Sequence, residues 1–185
     1  MLAIAATVAA LASHVCAQTL QERLQVCATC HGEAGNSSME KTPSLAGQPE
    51  LFLVNQLILM RDRVRISEVM APFAKGLVDA DIIELAKHYS KLSPEASSEP
   101  IDQSLVARGA DLAKALRCGS CHLPTYAGGD QIPALARQRI DYVIDTLLAY
   151  RDGRRYGIDT SMNGVMVGVS DADVRALAHY LESLR

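Results

Sequence analysis

Tryptophan is absent from this 185-residue chain, phenylalanine occurs only twice, and aromatic residues make up 4% of it. Large flat side chains usually anchor a core, so a fold built from this chain needs another source of buried apolar surface. Positive charge is not in excess either: 18 lysines and arginines face 21 aspartates and glutamates, for a net charge of −3. That balance excludes a nucleic-acid-binding surface. No stretch beyond the N-terminal segment is long and apolar enough to cross a bilayer. Nowhere does the sequence alternate convincingly with the period of two that marks a strand. The expected fold is all-α.

The first 17 residues, Met1 to Ala17, carry no Lys, Arg, Asp or Glu and are rich in alanine, leucine and valine. Val15-Cys16-Ala17 places small residues where a signal peptidase cuts, which predicts export, a signal peptide over 1–17 and a mature chain from Gln18. A missing basic residue at the front departs from that pattern, and an uncleaved N-terminus is the one expected route to membrane association. Of five cysteines, Cys16 lies in the predicted signal and the other four form two pairs, Cys27/Cys30 and Cys118/Cys121. In an oxidising compartment such pairs tend to close into disulfides unless other chemistry consumes them.

Each pair runs directly into a histidine: Cys27-Ala28-Thr29-Cys30-His31 and Cys118-Gly119-Ser120-Cys121-His122. C-x-x-C-H is the attachment signature of c-type haem, with two thiols to bond the porphyrin and an imidazole beside them to ligate iron. Haem attachment consumes all four thiols, and a porphyrin supplies the apolar surface that aromatics do not. Zinc would need further Cys or His at each motif, and only His88 and His179 remain outside the predicted signal. A thioredoxin-like redox pair would need strands. The expected cofactors are two covalently bound haem c groups.

The motif recurs because the chain repeats itself. Cys27 matches Cys118 at an offset of 91, and Pro43-Ser44-Leu45-Ala46-Gly47-Gln48 matches Pro133-Ala134-Leu135-Ala136-Arg137-Gln138 at 90. Arg61-Asp62 matches Arg151-Asp152 at 90, and Val78-Asp79-Ala80-Asp81-Ile82 matches Ser170-Asp171-Ala172-Asp173-Val174 at 92. The predicted organisation is two tandem copies of one fold, over 18–92 and 104–185, joined by a linker over 93–103. Ser93-Pro94-Glu95-Ala96-Ser97-Ser98-Glu99-Pro100 within it offers little to bury. In each copy a short helix runs into the motif, from Leu20 to Ala28 and from Leu105 to Leu116. A longer one begins near Pro49 and Ile140. A last one opens at Asp79 and Asp171, which read as N-caps.

His31 and His122 each supply one axial ligand. For the opposite face, Met70 lies 39 residues beyond His31 and Met162 lies 40 beyond His122, so these two form a matched pair. Met166 maps onto Ala74 and is the alternative in the second copy. A thioether is a soft ligand that stabilises ferrous iron and raises the potential. With both axial positions filled, no site is left for oxygen, peroxide or substrate. The expected protein is an electron carrier and not an enzyme. Pro43 and Pro133 have two readings, as carbonyl acceptors for the ligand histidines or as ordinary loop prolines. Arg61 and Arg151 read as propionate partners or as a solvated helix face, and His88 and His179 as structural residues.

On the motif C-A-T-C-H-G with Gly35-Asn36-Ser37, the stretch S-L-A-G-Q at 44–48, M-A-P at 70–72 and the full duplication, the chain resembles the dihaem cytochromes of the c4 type. The resemblance implies two tandem class I cytochrome c domains and a periplasmic carrier that hands electrons toward a terminal oxidase. Its implied partners are redox proteins: that oxidase, an upstream cytochrome complex or a dehydrogenase. The alternative role is a dihaem subunit of a sulfide- or alcohol-oxidising dehydrogenase. Leu123 departs from the pattern, standing where Gly32 follows the first motif.

Overall fold

The computed structural model describes residues 18–184; the predicted signal peptide lies outside them. Nine helices occur among the described residues: α1 Leu20–His31, α2 Glu50–Arg61, α3 Ala71–Ala74, α4 Asp79–Ser90, α5 Gln103–Ala115, α6 Gly119–His122, α7 Ile140–Arg151, α8 Ser161–Met166 and α9 Asp171–Ser183. No strand forms among the described residues. The only β-type pairing there is an isolated bridge between Gly129 and Ile132.

The helices begin where local chemistry lets them. Thr19 opens α1 through a capping box: the Glu22 amide donates to Thr19 Oγ1 at 3.3 Å, and the Thr19 amide donates to the Glu22 carboxylate at 2.7 Å. The expected caps of the last helices shift by one residue. Asp79 and Asp171 are the first helical residues, and the cap positions are Val78 and Ser170. Ser170 Oγ accepts from the Asp173 amide at 3.2 Å, the bond a short polar side chain makes at a cap position. The acidic residues then lie in the first turn, facing the positive end of the helix dipole.

Ile82, Leu85, Ala86 and Tyr89 on α4, and Val174, Leu177, Ala178 and Leu181 on α9, repeat one i, i+3, i+4, i+7 stripe, and all are buried. In the first half α4 packs against α2; in the second α9 packs against α7. Arg61 and Arg151 clasp these pairs. Each guanidinium reaches from the end of one helix to the first aspartate of the other, Arg61 to Asp79 and Arg151 to Asp171, both at 2.6 Å. Each also donates to a loop carbonyl just before that helix, Leu77 and Val169. Both earlier readings of these arginines give way to this structural one.

The segment 93–103 is held at several points, although its composition reads as a loose tether. Glu99 caps α7, accepting from the Ile140 and Asp141 amides at 2.7 and 3.0 Å. Arg137 donates to the Pro94 carbonyl and Asn36 accepts from the Glu95 amide. Polar residues with little to bury are here engaged in hydrogen bonds that composition cannot reveal.

Candidate haem centres

A C-x-x-C spacing on a helix puts two thiols one turn apart on one face. Cys27 and Cys30 occupy the last turn of α1, which runs through the motif to His31. In the second half the chain breaks after α5, with Arg117 in the left-handed region at φ 57°, and α6 forms a separate turn holding Cys121 and His122. None of the four motif cysteines is engaged in a disulfide. Burial pushes the Cys27 and Cys118 thiols up from their ordinary range, which is the reverse of an activated redox thiolate.

Both motif histidines are buried, at 6% and 5% exposure. His31 Nδ1 lies 2.8 Å from the Pro43 carbonyl and His122 Nδ1 lies 2.9 Å from the Pro133 carbonyl. A carbonyl only accepts, so Nδ1 must carry the proton and the lone pair is left on Nε2. Burial lowers both imidazole pKa values, against the smaller opposing effect of these hydrogen bonds. A neutral, oriented imidazole with a bare Nε2 is a metal ligand in waiting. The two prolines therefore have the carbonyl-acceptor role.

The methionines separate by burial. Met166 is 1% exposed within the core of the second half, and Ala74, its counterpart in the repeat, is 0% exposed in the first. Met70, just before α3, and Met162, on α8, are both half-buried. Exposed apolar side chains gather on either side of them: Val64, Ile66, Val69 and Phe73 near Met70, and Ile158, Val165 and Val167 near Met162. Apolar surface concentrated in this way asks for a cover. An enclosed apolar slot between each motif and its methionine is the expected form of the site. The concavity beside Cys121 is shallower than that, lined by Leu51, Leu123, Gly129 and Ile132, and Met162 does not border it.

A second cluster joins the halves. In the sequence it shows through Arg155, one of the basic residues Arg137, Arg139, Arg151, Arg154 and Arg155 that read as a solvated face, propionate partners or a docking patch. Arg65 and Arg155, equivalent at an offset of 90, both reach the hydroxyl of Tyr142, at 3.4 and 3.2 Å. Arg65 also donates to Gln56 and Arg155 to Thr146, again equivalent positions. Burial pushes the Tyr142 phenol up, but the guanidiniums of Arg155 and Arg65 outweigh it and bring it down to about 7. Among the described residues no carboxylate pairs with either arginine, and Arg155 Nε is buried without a hydrogen-bond partner. Half-buried cations left this way suit an acidic ligand, and a haem carries two propionates. The repeat alignment held the signal, since it pairs Arg65 with Arg155. Of the basic residues in the second half, Arg139 instead pairs with Asp141 at 2.7 Å and Glu99 at 3.7 Å. His179 accepts from the Asp102 amide and His88 packs edge-on to Tyr89, so both are structural.

The halves also exchange glutamines. Gln138 Oε1 accepts from the Ser44 amide at 2.8 Å while its Nε2 donates to the Ser44 carbonyl at 2.9 Å. Gln48 makes the same pair with Ala134, at 3.1 and 3.0 Å. The contact is isologous, as in a two-fold dimer, because the halves are copies.

Two helical domains, each presenting a C-x-x-C-H with an oriented histidine, define a dihaem c-type cytochrome. The Cytochrome c family pattern matches residues 106–185. The chain is 32% identical over 170 residues to cytochrome c4 of Thiocapsa roseopersicina, covering 86% of this chain and 87% of that protein. It is 35% identical over 167 residues to a thiosulfate dehydrogenase electron acceptor of Thiomonas intermedia, covering 84% and 76%. The crystal structure of reduced cytochrome c4 from Pseudomonas stutzeri superposes with a TM-score of 0.82 at 28% identity, over 91% of this chain and all of that one. The chain belongs to the cytochrome c4 family. It is an electron carrier built from two tandem class I cytochrome c domains, with two covalently attached haem c groups and redox proteins as partners.

Proposed function

We propose that this chain is a periplasmic shuttle that carries electrons toward a terminal oxidase through two His/Met-ligated haems. Domains over 18–92 and 104–185, a linker over 93–103 and a cleaved signal over 1–17 complete the reading. Cys27 and Cys30 bond one porphyrin, Cys118 and Cys121 the other. His31 with Met70, and His122 with Met162, supply the axial ligands, while Arg65 and Arg155 hold propionates. Haem supplies the one-electron chemistry, and the protein's part is to fix the ligands and set the potential.

The observation that carries this is the matched pair of histidine–proline hydrogen bonds, which leaves Nε2 of His31 and His122 bare in both halves. Partial burial of both Met70 and Met162, against the core burial of Ala74 and Met166, supports Met162 as second ligand over Met166. A second reading, a dehydrogenase's dedicated electron acceptor or subunit, is favoured by the relative in Thiomonas intermedia. Fractionation followed by native-complex purification tests both. The shuttle reading expects the haem-stained chain free in the periplasmic fraction, reduced there and reoxidised by added oxidase-containing membranes. Stoichiometric co-purification with a dehydrogenase would replace it with the second reading.

A further inference from the structure

We propose that Gln48 and Gln138 are positioning residues for each other's domain, each tuning the haem held by the opposite half. This rests on the reading of His31 and His122 as iron ligands. The Pro43–Ser44 peptide sits between two hydrogen bonds. Its carbonyl accepts from His31 Nδ1 at 2.8 Å, and its N–H donates to Gln138 Oε1 at 2.8 Å. The Pro133–Ala134 peptide is the mirror case, with His122 at 2.9 Å on its carbonyl and Gln48 Oε1 at 3.1 Å on its N–H. Each chain of bonds therefore starts in one domain and ends on the candidate ligand of the other. Both glutamines are buried, at 5% and 6% exposure, so water does not compete for these groups.

An amide whose N–H is accepted by another group carries more negative charge on its carbonyl oxygen, an effect of about 10–30% per bond in condensed-phase estimates. A stronger acceptor draws the imidazole Nδ1–H further and gives the ring more imidazolate character. That makes it a more basic ligand, one that favours ferric iron and lowers the potential. Gln138 therefore lowers the potential of the first haem, and Gln48 that of the second. By reciprocity, oxidation of either iron makes its imidazole a better donor and tightens the docking of the two domains. Docking and redox state are coupled through two peptide units.

The test uses the haem-loaded protein and the variants Q138L and Q48L, which keep the side chain's bulk and remove both the acceptor and the Nε2 donor. The potential of each haem is followed by hyperfine-shifted proton resonances assigned to each domain. The expected result is crossed. Q138L raises the ferrous-to-ferric ratio of the first haem severalfold at fixed potential, with a smaller change at the second, and Q48L does the reverse. Equal shifts at both haems in both variants, or a shift confined to the mutated domain's own haem, would overturn the proposal in favour of simple docking. Should Q138L fail to fold, Q138E keeps an oxygen facing the Ser44 amide. Its first haem is expected at or below the wild-type ratio, and a rise contradicts the relay. The ligand reading is separable, since His31→Ala and His122→Ala should each abolish one low-spin ferric spectrum. A retained spectrum sinks the ligand assignment itself, whereas uncrossed potentials with that loss intact sink only the relay.

Discussion

In the second half α5 and α9 cross so closely at Gly109 that a Cβ there would stand 2.1 Å from the Ala176 carbonyl oxygen, and the core is one continuous cluster from Ala113 to Leu181. In the first half α1 starts at Leu20, beyond the position that corresponds to Gly109, and the core divides into two small clusters around Leu53 and Ile82. Around the motif the halves also exchange bulk. Gly35 leaves room for Tyr89, whose ring would sit 2.9 Å from a Cβ there. At the same position the second half has Tyr126, buried edge-on to Tyr180 at 5.8 Å. One ligand geometry is thus supported by unequal amounts of protein. The first half depends more on its haem for its fold, and the second more on its own side chains.

The largest way to break this comparison is to remove the thiols of one half at a time. Cys27→Ser with Cys30→Ser should lose one haem and the helical signal of the first half. Cys118→Ser with Cys121→Ser should lose one haem but keep the α5–α9 pair. Circular dichroism with hydrogen exchange reads the difference, and equal unfolding in both would refute it.

The residue after each motif histidine sharpens the contrast. Gly32 and Leu123 both have positive φ, 81° and 67°, with ψ near 150°, a region that suits only glycine. Leu123 therefore holds strain, on the order of 1–3 kcal/mol. Leu123→Gly should raise the stability of the second domain by about 1 kcal/mol. Gly32→Ala should cost more, about 2–3 kcal/mol, because a Cβ would stand 2.3 Å from the Asn36 carbonyl oxygen. Denaturant titration of the holoprotein measures both.

A smaller effect concerns Asp141, whose place in the first half is taken by the exposed Leu51. Burial pushes this carboxyl up, but the Arg139 guanidinium and the Lys41 amide of the first domain outweigh it and hold it below the usual range. A depressed folded-state pKa gives stability that is present above the unfolded value and lost as pH falls through the folded one. Docking should therefore weaken below about pH 4, and Asp141→Asn should remove that part of the acid sensitivity. Smallest of all is the arginine clasp: Arg61→Ala and Arg151→Ala should give similar, minor losses in thermal stability, since the aspartate of each pair is largely exposed.

Much of each site was legible because its information is local. Two thiols, a histidine and a proline lie within about twenty residues of each other, and the repeat singles out Met70 and Met162 as the candidate methionine pair. The helical fold followed from the missing period-two alternation, with the apolar stripe of Leu53, Leu57 and Met60 repeated in Val143, Leu147 and Tyr150. The joint roles of Arg65, Arg155, Tyr142, Gln48 and Gln138 were not legible, although the repeat pairs Arg65 with Arg155 and Gln48 with Gln138, because what they do depends on how two copies face one another. A glutamine in a loop and an arginine after a helix look solvated in sequence. Glu99 within the linker looks solvated for the same reason, since it caps α7 only because the fold brings that helix to it.

The proposed His/Met ligation of both haems is the central claim, and the methionine-to-ferric-iron charge-transfer band, measured per haem, tests it most directly. The wild-type protein should show two equivalents, Met70→Ala and Met162→Ala one each, and Met166→Ala two. A wild-type spectrum with one equivalent, or a loss on Met166→Ala with none on Met162→Ala, would contradict it.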